Sequence, residues 1–388
     1  MSPCTTDRTI TWSQLICSAA AVAAFMSIQA TPGYRLLESK GVITLRRCAL
    51  AGTLIASAVG LSACQGATGG DVGDIGELTV NMGNAVAQPS PPATDPAGRV
   101  VDFAAVDDLD ATGDTLAVRS GDSLTVGTLE QVLAGAATQY ALEADCGDAS
   151  AGAGSFVVAC GGRVRIFDSS GERSFDTSAP ASVATMTDSG DVVTGSSRDR
   201  TARMYRDGEE VSSFGVARET DQLLTVPREG AADTAVRVNH FDTTIQDLDL
   251  ENARQGGTLR VGLGVGGVTT ASDGLVLAAD NTGSQLLVYT VSDIIRLQQS
   301  APVAPSPWAV AWDAESALAW VTSTATNTAE GYDISQGVPL KAAEARSVAD
   351  AQNMVTLDDG TLVIASASGD GLQIIAPEEK STLKEKTS

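Results

Sequence analysis

The chain holds one histidine, His240, in 388 residues. Metal centres built from several imidazoles, and mechanisms that pass a proton between two of them, are thereby excluded. Cations are scarce too: 25 Lys and Arg stand against 48 Asp and Glu, a formal charge of −23. Such a surface repels phosphate backbones and anionic lipid headgroups, so nucleic-acid binding is set aside. Phe, Trp and Tyr together make up only 4%. The apolar patch from Leu15 to Ile28 runs about 14 residues, where a membrane-spanning helix needs about 20. What is plentiful (Gly, Ala, Val, Thr and Asp) reads as many short strands joined by tight turns.

One stretch sorts the chain. Arg46-Arg47 precede an apolar run from Ala49 to Leu61, followed by Leu61-Ser62-Ala63-Cys64. A basic start, a short apolar middle and small residues ahead of a cut make a secretory signal, over residues 42–63. The cut before a cysteine resembles the lipobox of bacterial lipoproteins, which implies a diacylglyceryl thioether on Cys64. Arg46-Arg47 also read as a twin-arginine motif, but the flanking residues favour the general secretory route. Residues 1–41 add a second signal-like segment with no evident use and are expected to be a non-native extension; the alternative is a long basic n-region. Removal of residues 1–63 takes away Arg8, Arg35, Lys40, Arg46, Arg47, Asp7 and Glu38, so the mature part is more acidic still. Cys4, Cys17 and Cys48 go with the signal, leaving Cys146 and Cys160 as an even pair in an exported domain. They are expected to be bridged, two buried thiols being the alternative.

Residues 64–98 are Gly-rich and then Pro-rich (Pro89, Pro91, Pro92, Pro96), the composition of a linker. From 99 to 377 the chain repeats. Short Val/Leu/Ala runs recur around Leu116, Val157, Val192, Val236, Val276, Ala319 and Val363. The period is about 40 residues, the size of one four-stranded propeller blade. This predicts an all-β chain forming a single seven-bladed β-propeller of four-stranded blades. The seventh unit supplies three strands, and the charged tail at 378–388 cannot make an apolar fourth. Glu77–Asn81 is strand-like and is expected either to close the ring or to remain linker.

Two units carry family likeness. Thr194 to Tyr205, with Asp199 at the turn, looks like the second and third strands of a WD-repeat. Ser306 to Asp313, followed by Ala317 to Thr322, is similar to the Tyr-Val-Thr-Asn type of bacterial propeller repeat, as is Ala279 to Tyr289. With the signal, these units resemble actinobacterial lipoproteins built on one seven-bladed propeller. The resemblance implies architecture more than activity, because the fold hosts many functions.

Candidate chemistry is thin. His240, between Asn239 and Phe241, has no nucleophile motif beside it and reads as structural. Asp107-Asp108-Leu109-Asp110 is an acidic cluster. In Asp247-Leu248-Asp249-Leu250-Glu251, alternation puts three carboxylates on one strand face. That row could hold Ca²⁺ or be a solvated outer face, and no EF-hand spacing accompanies it, so no metal is assigned. Gly262 to Gly267 resembles a dinucleotide loop but lacks the βαβ setting, and reads as a turn between blades. Trp308 and Trp312 alternate along an innermost strand, where they either line the channel mouth and meet a ligand or pack between blades.

The expectation for function is a lipid-anchored, extracytoplasmic binding or scaffold module without cofactor or catalytic residues. It would act as a monomer on an unknown protein or envelope polymer. The alternative is a lactonase-like or other hydrolase working in the central channel. A quinone-dependent dehydrogenase is disfavoured by the lack of regularly repeated tryptophans.

Overall fold

The computed structural model describes residues 83–382. The signal, Cys64, the 1–41 extension and Glu77–Asn81 lie outside the described residues. Seven antiparallel sheets follow one another along the chain. Their first strands are Asp108–Thr112, Cys146–Gly152, Val183–Met186, Gln222–Val226, Val265–Ala271, Pro307–Asp313 and Ala351–Thr356. Each of these neighbours the next, and the first meets the last, so the sheets close as a seven-bladed propeller around a central channel. We number the blades 1 to 7 in that order. In blade 2 the run Ser155–Asp168 serves as both second and third strand. Its first half pairs with Cys146–Gly152 and its second with Gly171–Ala181, the reversal falling at Gly161, φ +58.

The seven marker residues of the repeat all sit on second strands, and all are fully or nearly fully buried. Second strands lie between neighbouring blades and are covered on both faces, so they read as unbroken apolar runs. Thr234–Asn239 and Leu362–Ser366 are buried along their whole length. Outer strands meet solvent and alternate instead, as Gly171–Ala181 does. The core is therefore a series of apolar layers between blades, such as Val236, Val238 and Ile245 packed with Val276, Ala278 and Tyr289. Near the axis a hydroxyl ladder ties the inner strands together. Ser150 Oγ meets Thr185 Oγ1 at 3.0 Å, Thr185 Oγ1 meets Thr225 Oγ1 at 3.0 Å, and Thr270 Oγ1 donates to Thr225 O at 2.7 Å.

Blade 7 is completed by Arg99–Val101, which pairs antiparallel with Leu372–Ile375. This corrects the expectation that Glu77–Asn81 close the ring: the outer position is already taken. A glycine makes the approach feasible. Gly98 has φ +67, and a Cβ there would fall 2.2 Å from Ile374 O.

Residues 83–98, read as linker, form an ordered strap. Gln88 N donates to Ser306 Oγ (3.0 Å), Ser90 N to Asp350 Oδ1 (3.0 Å), Ser90 Oγ to Thr324 O (2.7 Å) and Asn327 Nδ2 to Pro91 O (2.7 Å). Prolines suit such a segment because they lose little chain entropy on being held extended. The described part of the charged tail joins blade 6 and not blade 7. Ser381–Thr382 adds a short fifth strand to blade 6, and the Lys380 side chain is 6% exposed. Among the described residues no helix is long and apolar enough to cross a membrane.

Candidate functional site: the acidic mouth of the central channel

Two sides of the ring differ. The upper face carries the connections between blades and the turns from second to third strands; the lower face carries the other turns. Residues from all seven blades line a channel cavity of about 400 Å³. Its titratable lining, among the described residues, is Asp107, Asp108, Asp110, Asp148, Asp221 and His240, with no Lys or Arg. Asp107 and Asp221 each stand just before the start of an inner strand, and Asp148 is the third residue of another, which places all three toward the upper mouth. Asp108 and Asp110 alternate with buried Leu109, so both turn to the channel.

The backbone around the mouth supplies some donors. Asp107 Oδ2 accepts from Gly121 N at 2.6 Å and Asp108 Oδ2 from Ala149 N at 2.7 Å. Arg119 supports the cluster from behind, donating to Asp148 Oδ1 at 3.2 Å and to Gly147 O at 2.6 Å. Even so, enclosure dominates. Burial, then the neighbouring Asp110 and Asp148 charges, push the Asp108 carboxyl well above the usual carboxylate range. Burial, then Asp148, raise Asp110 to about 7. Asp148, at the more open rim with its side chain 71% exposed, is raised by the partial enclosure of the mouth, against the pull of Arg119. On the far side, burial lowers His240 despite Asp221 and Asp148. His240 N donates to Asp221 Oδ2 at 2.8 Å, while its Nε2 is enclosed with no hydrogen-bond partner among the described residues. A site of this kind stabilises a positive charge brought into it, and Asp110 can exchange a proton near neutrality.

The tryptophans are separated. Trp308 lines the channel. Trp312 packs beside Leu277, Val288 and Val310 in the layer between blades 5 and 6. The register slips between Pro307 and Val310, and this bulge breaks the simple alternation that would put both rings on one face. Gly266 and Gly267 face the same bulge: a Cβ on Gly267 would fall 2.9 Å from Trp308 O.

Other candidates prove structural. Asp247 is buried, accepting from Gly257 N (2.7 Å) and Ile295 N (3.1 Å), while Asp249 accepts from Arg254 and Asn252. Glu251 lies in the turn beyond the strand, so the three do not form a calcium row. The Gly262–Gly267 loop has an anion already: Asp280 Oδ1 accepts from Leu263 N (3.0 Å), Gly264 N (3.1 Å) and Gly283 N (2.9 Å). A loop that could be mistaken for a phosphate cradle thus cradles a carboxylate. Cys146 and Cys160 face each other on the first two strands of blade 2 and are joined by a disulfide. A larger, open hollow of about 740 Å³ lies on the lower side between blades 2 and 3. Its polar groups satisfy one another there, Arg206 bonding Asp191 at 2.8 and 2.6 Å, so the channel is the better candidate.

Sequence reasoning noticed the Asp107–Asp110 cluster but not Asp148 or Asp221. Aligning the repeat by inner-strand starts would have matched Asp221 with Asp107, whereas Asp148 lies two residues inside its strand.

No protein-family model matches the chain, and no curated protein matches it significantly in sequence. Solved structures do. A chain from the crystal structure of a mitotic checkpoint complex is 14% identical, with TM-score 0.57, covering 83% of this chain and 98% of its own. The structure of U3-55K is 12% identical, with TM-score 0.59, covering 74% and 100%. The RRP9 WD40 repeats are 12% identical, with TM-score 0.57, covering 74% and 99%. The likeness is one of fold. A WD40-type seven-bladed propeller is what the neighbours share with this chain, and the likeness to actinobacterial lipoproteins rests on sequence pattern alone.

Proposed function

We propose that this protein is a non-enzymatic scaffold. A diacylglyceryl group on Cys64 would tether the propeller to the outer side of the cytoplasmic membrane. There it would hold a partner protein or envelope polymer against its upper face. The observation that carries the binding part is the upper face itself, where loops from all seven blades surround one acidic channel mouth. A structure of a complex among the fold neighbours agrees with a role in assembly. The tether rests on residues 61–64, and two acyl chains are enough for stable anchoring without help from protein charge. Cys64→Ala should move the protein from the membrane fraction to the soluble one; retention in the membrane would overturn the anchor.

One observation favours a second reading, a hydrolase of the channel: the Asp110 carboxyl at about 7 is tuned for general acid–base work. A panel of lactones and esters, assayed from about pH 5 to 9 with Asp110→Asn as control, separates the two. Turnover abolished by that substitution would replace the scaffold with an enzyme.

A further inference from the structure

The strap covers only part of the upper face, over blades 6 and 7 and the edge of blade 5. Beside its far end stand three large apolar side chains in solvent: Phe241 (64% exposed), Leu263 (46%) and Val86 (80%). Phe241 is in the turn after the second strand of blade 4, and Leu263 is in the connection to blade 5. One backbone and one side-chain hydrogen bond hold these two loops together, Val261 N donating to Thr243 O at 2.8 Å and Thr243 Oγ1 to Gly262 O at 3.2 Å. Asp280 grips the Leu263 and Gly264 amides from beneath. Ala85, next to Val86, comes up against Gly264, where an added Cβ would lie 3.3 Å from the Ala85 Cβ.

The platform is therefore pre-organised, and it presents a phenylalanine that the fold itself does not use. Other exposed apolar residues stand elsewhere. Val100, Val211, Leu297 and Leu340 are on outer strands, and Ile294 and Val338 are at turns of the lower face. Only the blade 4–5 platform adjoins the channel mouth, since Phe241 follows His240, which lines it and is bonded to Asp221. The apolar anchor thus adjoins Asp221 on the rim of a mouth that also holds Asp107, Asp108 and Asp148, where Arg119, paired with Asp148 from outside the lining, is the one cation in contact among the described residues. Trp308 in the same wall suits a cation as well.

We propose that the partner docks at this sector through a segment that sets one or two large apolar side chains on Phe241 and Leu263. The same segment directs a lysine or arginine into the acidic mouth. Charge complementarity selects this occupant: a polyanion or an anionic bilayer would be repelled by the mouth. The inference rests on the scaffold reading and gives that reading a partner chemistry.

The test uses the full-length protein in its native cells, with a benzophenone amino acid in place of Phe241 in one version. In a second version it replaces Val338 on the lower face, and in a third Val211 on the outer edge. The expected result is an adduct at position 241 and none at 338 or 211. Mass spectrometry should find the crosslinked peptide carrying Lys or Arg next to large apolar residues. Adduct yield at 241 should fall by about tenfold when Leu263→Ser is added. It should fall several-fold when Asp148→Asn and Asp221→Asn are combined, with circular dichroism showing that the propeller remains folded. Adducts at 338 or 211 but not 241, or an acidic partner peptide at 241, would overturn the docking proposal and leave the scaffold reading standing. No adduct at any of the three positions would overturn both.

Discussion

Two sets of enclosed charges in this ring are treated in opposite ways. At the seam between blades 6 and 7, Asp313 is fully buried, and burial alone would push its carboxyl up. Lys380 and Ser316 outweigh that and hold it below the usual range. Lys380 also donates to Gly360 O on blade 7 and lies over the Trp320 ring of blade 6, 5.8 Å from its centroid. From the upper side the strap fastens the same pair of blades. At the channel mouth, Asp108 and Asp110 are half-buried together, Asp148 stands at the open rim beside them, and all three carboxyls are raised. Asp313 has been given a buried cation of its own, whereas of the three raised carboxyls at the mouth only Asp148 is ion-paired, with Arg119. That shortage costs stability and is the physical reason to read the mouth as a binding feature.

The comparison can be broken most severely at the seam. Lys380→Met should strand the Asp313 charge and lower stability by about 2–4 kcal/mol, read from urea unfolding. Adding Asp313→Asn should recover part of the loss; a neutral Lys380→Met would mean that the seam is not held by charge. The next effect has the opposite sign. Asp110→Asn should raise stability at pH 8 by about 1–2 kcal/mol, since it removes a charge that the folded state disfavours. The sign follows from proton binding: a raised folded pKa means that the native state binds more protons than the unfolded chain between about pH 4 and 7. Stability from this group is therefore full below pH 4 and declines as pH rises through about 7. The urea midpoint of the native protein should fall across that window, and Asp110→Asn should flatten the fall. A destabilised Asp110→Asn would reveal an engaged carboxylate and erase the contrast.

Smaller effects test the edges. Ser90→Ala removes the bond to Thr324 O and the acceptor for Asp350 N, and should cost about 1 kcal/mol, with faster hydrogen exchange at the start of blade 7. Arg254→Ala breaks a solvent-facing pair with Asp249, its own side chain 71% exposed, and should change stability by less than about 0.5 kcal/mol. A larger loss there would show that surface pairs, and not only buried ones, hold this ring.

Much of the fold was legible because second strands are covered on both sides. An apolar run of five or six residues every forty or so is a direct record of that burial, and it counted seven blades correctly. The facing disulfide was legible for a similar reason, since adjacent antiparallel strands bring Cys146 and Cys160 opposite each other. The strap was not legible. Its bonds join Ser90 to Asp350 and Pro91 to Asn327, more than two hundred residues away, and such partners leave no local pattern. Composition alone made it a linker. That Trp308 lines the channel while Trp312 packs between blades was not legible, because a bulge shifts the register by an amount that alternation cannot foresee.

By itself, then, the sequence determined the number of blades, the sign of the surface and the absence of imidazole clusters, all properties carried by local pattern or composition. The tertiary structure decided which acids are partnered, which strand closes the ring and where the strap and Lys380 are fastened. Those outcomes depend on what the closed ring brings together. Asp108 and Asp148 are forty residues apart along the chain, and only the curvature of the propeller turns them toward one mouth, where the charge of each raises the cost of ionising the other.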